Sequence, residues 1–266
     1  MIKMIVSDVD GTLLPHSQQK LDPLLLEQIR RLKELGILFV AASGRQYANL
    51  YRLFGPVRDD IAYIAENGGL TLYQGKVLDR GALPMSLTKE IAQAIYEDGA
   101  SEFSISGEQT YYIRPKSQEF LWLMRDYMHN NITLIGDLDE IPEACLKVAV
   151  FDQEHLQEKV PDWVSRFSDR AAVVTSGNDW LDFIPKDQNK GNGVRCLQET
   201  FGILPEECMG FGDEYNDIEM LEAVRYSYAV STAREKVKSI SRYETEKVTG
   251  VLAGLIESKG RMEDKL

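Results

Sequence analysis

The chain has 266 residues, of which 44% are hydrophobic and 27% are charged, so it is long enough for one or two domains with sizeable cores. Its formal net charge of −12 argues against a protein that wraps nucleic acid, and none of its apolar runs is long enough to span a membrane. The amino-terminal residues 1–4 already resemble a strand rather than a signal peptide, and we therefore expect a cytoplasmic protein.

The first predicted strand is followed by a loop with two carboxylates. Residues 2–6 are apolar except for Lys3, and Asp8 and Asp10 follow shortly after them. Gly11 allows the backbone to turn there, and Thr12 can hydrogen-bond within the turn. Two carboxylates this close repel each other and need a metal ion or a shared proton. An ordinary polar turn is the alternative interpretation, because Asp, Gly and Thr are common turn residues.

A helix and a second strand follow this loop. Residues 22–36 begin with an Asp-Pro pair, continue with a helical apolar repeat and end with glycine, and the apolar run after them predicts a strand that ends before Ser43. Parallel strands expose their carboxyl ends on one side of a sheet, so Ser43 should lie at the same edge as Asp8. Ser43 and Gly44 could hold a phosphate oxygen there. Ser43 could also cap the helix predicted for residues 47–54, and both roles could hold at once.

The middle third of the chain has a different pattern, with boundaries near residues 81–84 and 185–191. Two segments, 87–96 and 118–128, have helical periodicity. Short strands are predicted for residues 103–105, 110–113, 146–151, 171–176 and 180–184. This mixture predicts an inserted α+β domain.

A lysine opens the last third of the chain. Lys190 precedes a helix predicted to end near Gly202, and its ammonium could neutralise charge between a nucleophilic carboxylate and a phosphate. A lysine in a polar loop is otherwise an ordinary solvated residue.

A second acidic cluster follows the next apolar strand. Asp217 and Glu214 are normal dipole partners for a helix that begins near Asn216, but this explanation does not extend to Asp213, which lies where the strand ends. Oxygen ligands from Asp8, Asp213 and a backbone carbonyl would suit Mg²⁺.

Four motifs, taken in order, resemble those of the haloacid dehalogenase superfamily of phosphotransferases, in particular its Cof-type branch of sugar-phosphatase-like hydrolases. The motifs are Asp-x-Asp-Gly-Thr, Ser-Gly-Arg, Asn-Lys-Gly and Gly-Asp-x-x-Asn-Asp. The resemblance spans residues 4–255 and includes the run Glu66-Asn67-Gly68-Gly69. It implies an α/β fold in which residues 1–82 and 186–266 form a Rossmann-like parallel-sheet core. Residues 83–185 would form an inserted α+β cap that closes over the site.

The resemblance also implies a role for each polar residue. Asp8 would be the nucleophile that forms an aspartyl-phosphate, and Asp10 would be the general acid and then the base. Mg²⁺ would be held by the Asp8 carboxylate, the Asp10 backbone carbonyl and Asp213, with Asp217 as a further ligand or as support. The residues that would bind the phosphoryl group are Gly11, Ser43, Gly44, Lys190 and Asn216.

The expected function is therefore that of a Mg²⁺-dependent phosphatase acting on small phosphomonoesters, such as sugar phosphates or related metabolites. The expected partner is a small phosphorylated metabolite, not nucleic acid or a membrane, and the protein would be a monomer or a homodimer. A phosphomutase is an alternative, because the same intermediate can pass to another hydroxyl. A non-catalytic phosphometabolite-binding protein is a second alternative. The one feature of the sequence that favours it is Glu214, at a position where relatives commonly have a small residue.

Overall fold

The structure is a computed structural model that describes residues 1–15, 20–175 and 179–262. In this part of the chain the strands are β1 (Met4–Asp8), β2 (Leu38–Ala42), β3 (Ala62–Ala65), β4 (Leu70–Tyr73), β5 (Lys76–Arg80), β6 (Glu102–Ser106), β7 (Tyr111–Ile113), β8 (Ile132–Leu134), β9 (Lys147–Phe151), β10 (Ala172–Thr175), β11 (Trp180–Ile184), β12 (Cys208–Gly212), β13 (Tyr226–Val230) and β14 (Tyr243–Thr245). The α-helices are α1 (Pro23–Glu34), α2 (Tyr47–Leu53), α3 (Met85–Glu97), α4 (Gln118–Trp122), α5 (Leu156–Phe167), α6 (Lys190–Phe201), α7 (Ile218–Glu222), α8 (Glu235–Ile240) and α9 (Val248–Glu257).

The larger sheet has the strand order β14-β13-β12-β1-β2-β3-β4-β5. Strands β14 through β3 in this order are parallel, and β4 pairs antiparallel with β3. Every residue of β1 is buried, as expected for a central strand covered on both faces. The carboxyl ends of β12, β1 and β2 therefore lie side by side, and the residues that follow them are Asp213, Val9 and Ser43.

The connection between β1 and β2 follows the sequence prediction. The side chain of Asp22 accepts the backbone N–H of Leu24 at 2.8 Å, and Pro23 occupies the first helical position of α1. Gly36 has a φ of +75°, so this glycine ends the helix in a left-handed conformation. The helical connection between these two parallel strands is thereby built from ordinary helix start and stop signals.

The described residues form two compact units. The first comprises residues 1–43, 50–79 and 189–266, and the second comprises residues 44–49 and 80–188. The short segment 44–49 belongs to the second unit, where Asn49 Nδ2 donates to the carbonyl of Met128 at 2.8 Å. The predicted domain limits after residues 82 and 185 differ from these unit limits by three positions each. The assignment of 83–185 as a separate domain stays a prediction.

The second unit has its own sheet, with the order β10-β11-β9-β6-β7-β8. Neighbouring strands are antiparallel except for β7 and β8, which are parallel. One face of this sheet packs on α3 and α5 through a buried cluster that includes Ile91, Phe103, Val148, Trp163 and Phe183. The predicted α/β fold with an inserted α+β segment is confirmed by the two sheets.

Two elements of the second unit were not predicted. Helix α5 contains Pro161, which usually argues against a helix interior, but its Trp163 and Phe167 are each 1% exposed. Strand β8 has only three residues and carries little periodic signal. The strand predicted for residues 171–176 appears as β10, and position 176 lies outside the described residues.

In the described ranges, no helix combines the length and apolar character needed to cross a membrane. The three cysteines are free, and Cys145 and Cys208 are buried, as their apolar neighbours predict.

Candidate active site

The loop after β1 is shaped by a glycine that lies against an acidic residue of a distant loop. Gly11 has a φ of +97°, and a Cβ atom at this position would lie 2.3 Å from Asp213 Oδ2. The next residue, Thr12, donates from Oγ1 to Asp213 Oδ1 at 2.7 Å. Sequence analysis placed the Thr12 hydroxyl within its own turn, whereas the structure uses it to hold Asp213. The Asp-Gly-Thr sequence therefore brings the loops after β1 and β12 together.

Lys190 lies between two buried carboxylates. Its Nζ is 2.5 Å from Asp8 Oδ1 and 2.6 Å from Asp217 Oδ1, and its side chain is fully buried. Oxygen atoms of Asp8, Asp213 and Asp217 also lie within 4.8 Å of one another. In their ionised forms, these three carboxylates exceed the single ammonium by two negative charges in a buried site.

This crowding shifts the titration of the site. Burial, the charge of Asp217 and the charge of Asp213 raise the pKa of Asp8 well above its ordinary value, although Lys190 opposes them. Burial also raises the pKa of Asp213, against the hydrogen bond from Thr12. Burial alone would lower the pKa of Lys190, but the carboxylates of Asp217 and Asp8 outweigh it and raise this pKa, so the lysine is charged.

Asp217 organises the loop that carries Asp213. While Oδ1 accepts from Lys190, Oδ2 accepts the backbone N–H groups of Asp213 at 2.9 Å and Glu214 at 3.0 Å. Both carboxylate oxygens of Asp217 thus accept hydrogen bonds. Of the two roles that the sequence leaves open for Asp217, a metal ligand or a support for the ligand loop, this arrangement favours the support.

Glu214 points away from this cluster. Its carboxylate accepts from Arg234 Nε at 2.8 Å, and its side chain is 41% exposed. The departure from the family pattern therefore adds no carboxylate to the cluster of Asp8, Asp213 and Asp217. The sequence hint for a non-catalytic binding protein loses its basis.

Ser43 and Asp10 meet at the same edge of the sheet. Ser43 Oγ donates to Asp10 Oδ2 at 3.3 Å, and the Ser43 backbone N–H donates to the carbonyl of Ile64 at 2.9 Å. Ser43 lies four positions before α2 and does not occupy its N-cap, so that alternative role is wrong. Gly44 begins the segment assigned to the second unit, and its predicted role in phosphate binding stays a prediction.

The start of α6 fixes the position of Lys190. The side chain of Asn189 accepts the backbone N–H of Asn192 at 2.9 Å and caps the helix. A Cβ at Gly191 would lie 2.5 Å from the carbonyl oxygen of Glu219, which precludes a larger residue there without displacement. The Asn-Lys-Gly motif thus reflects a capped helix start packed closely against α7.

Asn216 is hydrogen-bonded to Asn67, which the sequence analysis does not name as a site residue. Its Nδ2 donates to Asn67 Oδ1 at 2.9 Å. Asn67 belongs to the Glu-Asn-Gly-Gly run, which enters the sequence analysis only as part of the family resemblance. An asparagine-glycine pair that begins two positions after the end of a buried strand is a signal of a special turn, and this signal could identify the residue.

The residues present fit a divalent cation. Asp8 Oδ2 is buried and accepts no hydrogen bond from any residue that the structure describes. Carboxylate oxygens are the ligands that Mg²⁺ prefers, and a dication would balance the two excess negative charges. The donor set of Asp8 and Asp213, with Asp217 behind them, is therefore suited to Mg²⁺.

Comparisons with known proteins identify the family of the chain. A family model of haloacid dehalogenase-like hydrolases matches residues 5–253. The chain is 28% identical over 243 residues to 5-amino-6-(5-phospho-D-ribitylamino)uracil phosphatase YbjI of Escherichia coli K12, and the match covers 91% of this chain and 90% of that protein.

Solved structures show the same fold. A protein from Eubacterium rectale superposes with a TM-score of 0.86 at 27% identity, covering 96% of this chain and 99% of that one. The subclass IIB sugar phosphatase BT4131 superposes with a TM-score of 0.82 at 22% identity, and the match covers 95% of this chain and 98% of that one. At this identity the similarity shows the fold alone. The chain belongs to the haloacid dehalogenase-like hydrolases, in their Cof-type branch, and is an enzyme of the phosphoric monoester hydrolase class.

Proposed function

We propose that the protein is a Mg²⁺-dependent phosphatase that hydrolyses small phosphomonoesters, such as sugar phosphates or related metabolites, through an aspartyl-phosphate on Asp8. The observation that carries this proposal is the contact of 2.5 Å between Lys190 Nζ and Asp8 Oδ1 inside a buried cluster of carboxylates. An ammonium at this distance orients the Asp8 carboxylate and opposes the rise in its pKa that burial and the neighbouring carboxylates cause, which favours the ionised form that a nucleophile requires. The named substrate of the YbjI relative, a phosphorylated ribityl compound, supports the substrate class.

The first half of the reaction uses Asp8 and Asp10. A carboxylate oxygen of Asp8 attacks phosphorus, and the ester P–O bond breaks as the Asp8–phosphorus bond forms. Asp10, in its protonated form, donates a proton to the leaving oxygen and releases the alcohol. The Ser43 hydroxyl, 3.3 Å from Asp10 Oδ2, orients this carboxyl group.

The second half releases phosphate. Asp10, now ionised, takes a proton from water, and the water oxygen attacks phosphorus while the bond to Asp8 breaks. Orthophosphate leaves, and both aspartates return to their starting states. We assign Gly11, Ser43, Gly44, Lys190 and Asn216 to phosphoryl binding during both halves.

Mg²⁺ belongs to this proposal as the resident cofactor. The Asp8 carboxylate, the Asp10 backbone carbonyl and the Asp213 carboxylate would hold it, and Asp217 would support Asp213 through the backbone bonds described above. When bound, the ion supplies charge neutralisation for the approaching phosphate and for the transition state.

The domain assignment and the cellular setting are further parts of the proposal. Residues 1–82 and 186–266 would form the catalytic core. Residues 83–185 would form a cap that excludes water and selects the leaving group. Both assignments rest on the family resemblance. A small phosphorylated metabolite would be the partner of a cytoplasmic monomer or homodimer. The net charge of −12 supports the absence of a nucleic-acid partner.

Phosphate release from a panel of sugar phosphates, nucleotides and cofactor phosphates tests the proposal, with and without Mg²⁺. The panel is run on the parent, on Asp8→Asn, and on Asp162→Asn, a control whose side chain is 69% exposed. We expect release that needs both Mg²⁺ and Asp8 and that survives in the control. Turnover by Asp8→Asn close to that of the parent would refute the nucleophile assignment, and isomerised sugar phosphate without free phosphate would indicate a mutase.

A further inference from the structure

The turn after β3 has an unusual backbone for a buried segment. Glu66, Asn67 and Gly68 have φ values of +52°, +57° and +97° in sequence. Glu66 and Asn67 are only 1% and 2% exposed. A left-handed conformation is unfavourable for residues other than glycine, although asparagine is among the most tolerant. Two such residues in succession persist only where the surrounding structure enforces them.

Asn67 contacts two of the residues assigned to phosphoryl binding. Its backbone N–H donates to the carbonyl of Ser43 at 3.1 Å, and its Oδ1 accepts from Asn216 Nδ2 at 2.9 Å. Ser43 follows β2, whereas Asn216 lies in the loop after β12. One residue therefore links two loops that belong to strands on opposite sides of β1.

Gly68 extends these contacts to the helix that begins with Lys190. A Cβ at Gly68 would lie 2.1 Å from the Asn189 carbonyl oxygen and 3.1 Å from the Lys190 backbone nitrogen. The left-handed backbone and the missing side chain together let the turn pack directly on the start of α6. The turn thus touches the segments that carry Ser43, Asn216 and Lys190.

We infer that Asn67 is a positioning residue for the phosphoryl group, acting through Asn216 and Ser43. This inference rests on the proposed function for the identity of the ligand. Asn216 Nδ2 carries two hydrogens, and the bond to Asn67 uses one of them in a fixed direction, so the amide plane is set before a phosphoryl oxygen arrives. Fixing the amide in advance reduces the entropy lost on binding. The strained turn is retained because it places Asn67 between the two loops.

The test removes the Asn67 side chain while keeping a residue that tolerates a positive φ. Asn67→Gly keeps the positive φ accessible and deletes Oδ1, and Gln74→Gly is the matched control, because Gln74 also has a positive φ, +50°, in an exposed turn. We expect Asn67→Gly to weaken inhibition by orthophosphate and to raise KM for p-nitrophenyl phosphate about tenfold, with kcat changed less than threefold. The Mg²⁺ concentration for half-maximal activity and the thermal midpoint should match those of Gln74→Gly.

A double-mutant cycle with Asn216→Ala identifies the route of the effect. If Asn67 acts mainly through Asn216, the double variant should lose no more orthophosphate affinity than the weaker-binding single variant. Additive losses would overturn that route, and so would parent-like KM and orthophosphate inhibition in Asn67→Gly. A shift in Mg²⁺ requirement as large as the shift in KM would show general loosening of the site and would also overturn the positioning role.

Calorimetric titration of orthophosphate into the Mg²⁺-loaded protein separates this inference from the proposed function. If the parent releases no phosphate from any substrate but binds orthophosphate more tightly than Asn67→Gly, the proposed reaction fails and the positioning role stands. If the parent hydrolyses esters but the two proteins bind orthophosphate equally, the positioning role fails. A parent that binds no orthophosphate also overturns it.

Discussion

Thr12 Oγ1 donates to Asp213 Oδ1 at 2.7 Å, although 201 positions separate the two residues in the sequence. The bond joins the loop after β1 to the loop after β12. It occupies one oxygen of Asp213 and sets the direction of the other, so the orientation of a proposed metal ligand depends on a hydroxyl of the nucleophile loop. Groups that orient a ligand in this way typically change metal affinity by 10- to 100-fold when removed.

Thr12→Val should therefore weaken Mg²⁺ binding. The substitution keeps the branched shape and removes the hydroxyl, and we expect the Mg²⁺ concentration for half-maximal activity to rise about tenfold. Activity at saturating Mg²⁺ should recover most of the parent value. Thr12→Ser, which retains the hydroxyl, should stay within about threefold of the parent. An unchanged Mg²⁺ requirement in Thr12→Val would show that Asp213 is oriented without this bond.

The lack of room for a side chain at Gly11 predicts that Gly11→Ala loses more activity than backbone strain alone would cause. Gly11 and Gly75 both have positive φ values, +97° and +72°, but a Cβ at Gly11 meets Asp213 Oδ2 at 2.3 Å while one at Gly75 has no atom within 4 Å. Alanine at either position should destabilise the fold by about 1 kcal/mol through strain. We expect Gly75→Ala to keep its turnover and Gly11→Ala to lose about 100-fold in kcat/KM. Equal turnover in the two variants at saturating Mg²⁺ would contradict this assignment.

The excess negative charge predicts that the nucleophile destabilises the metal-free protein. Asp8→Asn removes one ionisable carboxyl group from a buried cluster that has three of them and one ammonium. The buried Oδ2, which accepts no hydrogen bond in the described part of the chain, can become an amide donor. Without metal, the thermal midpoint of the variant should exceed that of the parent by about 2–4 °C, the shift produced by ~1 kcal/mol.

Thermal unfolding with and without Mg²⁺ checks this expectation. The ion should raise the midpoint of the parent more than that of Asp8→Asn, because only the parent offers the full set of carboxylates. Asp162→Asn, with its exposed side chain, should show no metal-dependent difference from the parent. A metal-free Asp8→Asn variant that is less stable than the parent would mean that the ion pair with Lys190 outweighs the repulsion.

The sequence predicts the core of this fold because its signals are local. The apolar strand before Asp8, the capped helix after Asp22 and the strand before Ser43 each show in a window of a few residues, and parallel pairing then brings the strand ends together. Helix α5 and strand β8 were missed because their stability comes from packing in the second unit rather than from a periodic pattern or high propensity.

The contacts inside the site are harder to predict than its residue types. Motif spacing singles out Asp8, Lys190 and Asp213, but nothing in a local window shows that Thr12 bonds to Asp213 or that Asn67 bonds to Asn216. Both bonds connect loops far apart in sequence, and their geometry depends on the register of the sheet and on positive φ values. Such contacts are set by tertiary structure, so sequence patterns reveal only that the participating residue types are present.

A buried carboxylate in the second unit gives a prediction for acid stability. Asp152 Oδ2 accepts from Lys159 Nζ at 2.7 Å and from Ser101 Oγ at 3.1 Å. Its Oδ1 accepts the backbone N–H groups of Glu154 and His155 at 3.1 Å and 2.9 Å, at the start of α5. Burial alone would raise the pKa of Asp152, but these hydrogen bonds, with Lys159 first, lower it from 3.8 to about 2.

Because the folded-state pKa is depressed, the ionised carboxylate stabilises the fold above its unfolded-state pKa, and this contribution is lost as the pH falls toward about 2. At about pH 5, Asp152→Asn should lower the free energy of unfolding by on the order of 2 kcal/mol, and the difference from the parent should shrink steadily between about pH 4 and pH 2. Denaturant unfolding at each pH measures this gap, with Asp162→Asn as the exposed control that should differ little from the parent throughout. A gap that stays constant down to pH 2 would mean that the charge of Asp152 contributes nothing, since protonation of the parent would then have no effect on the difference.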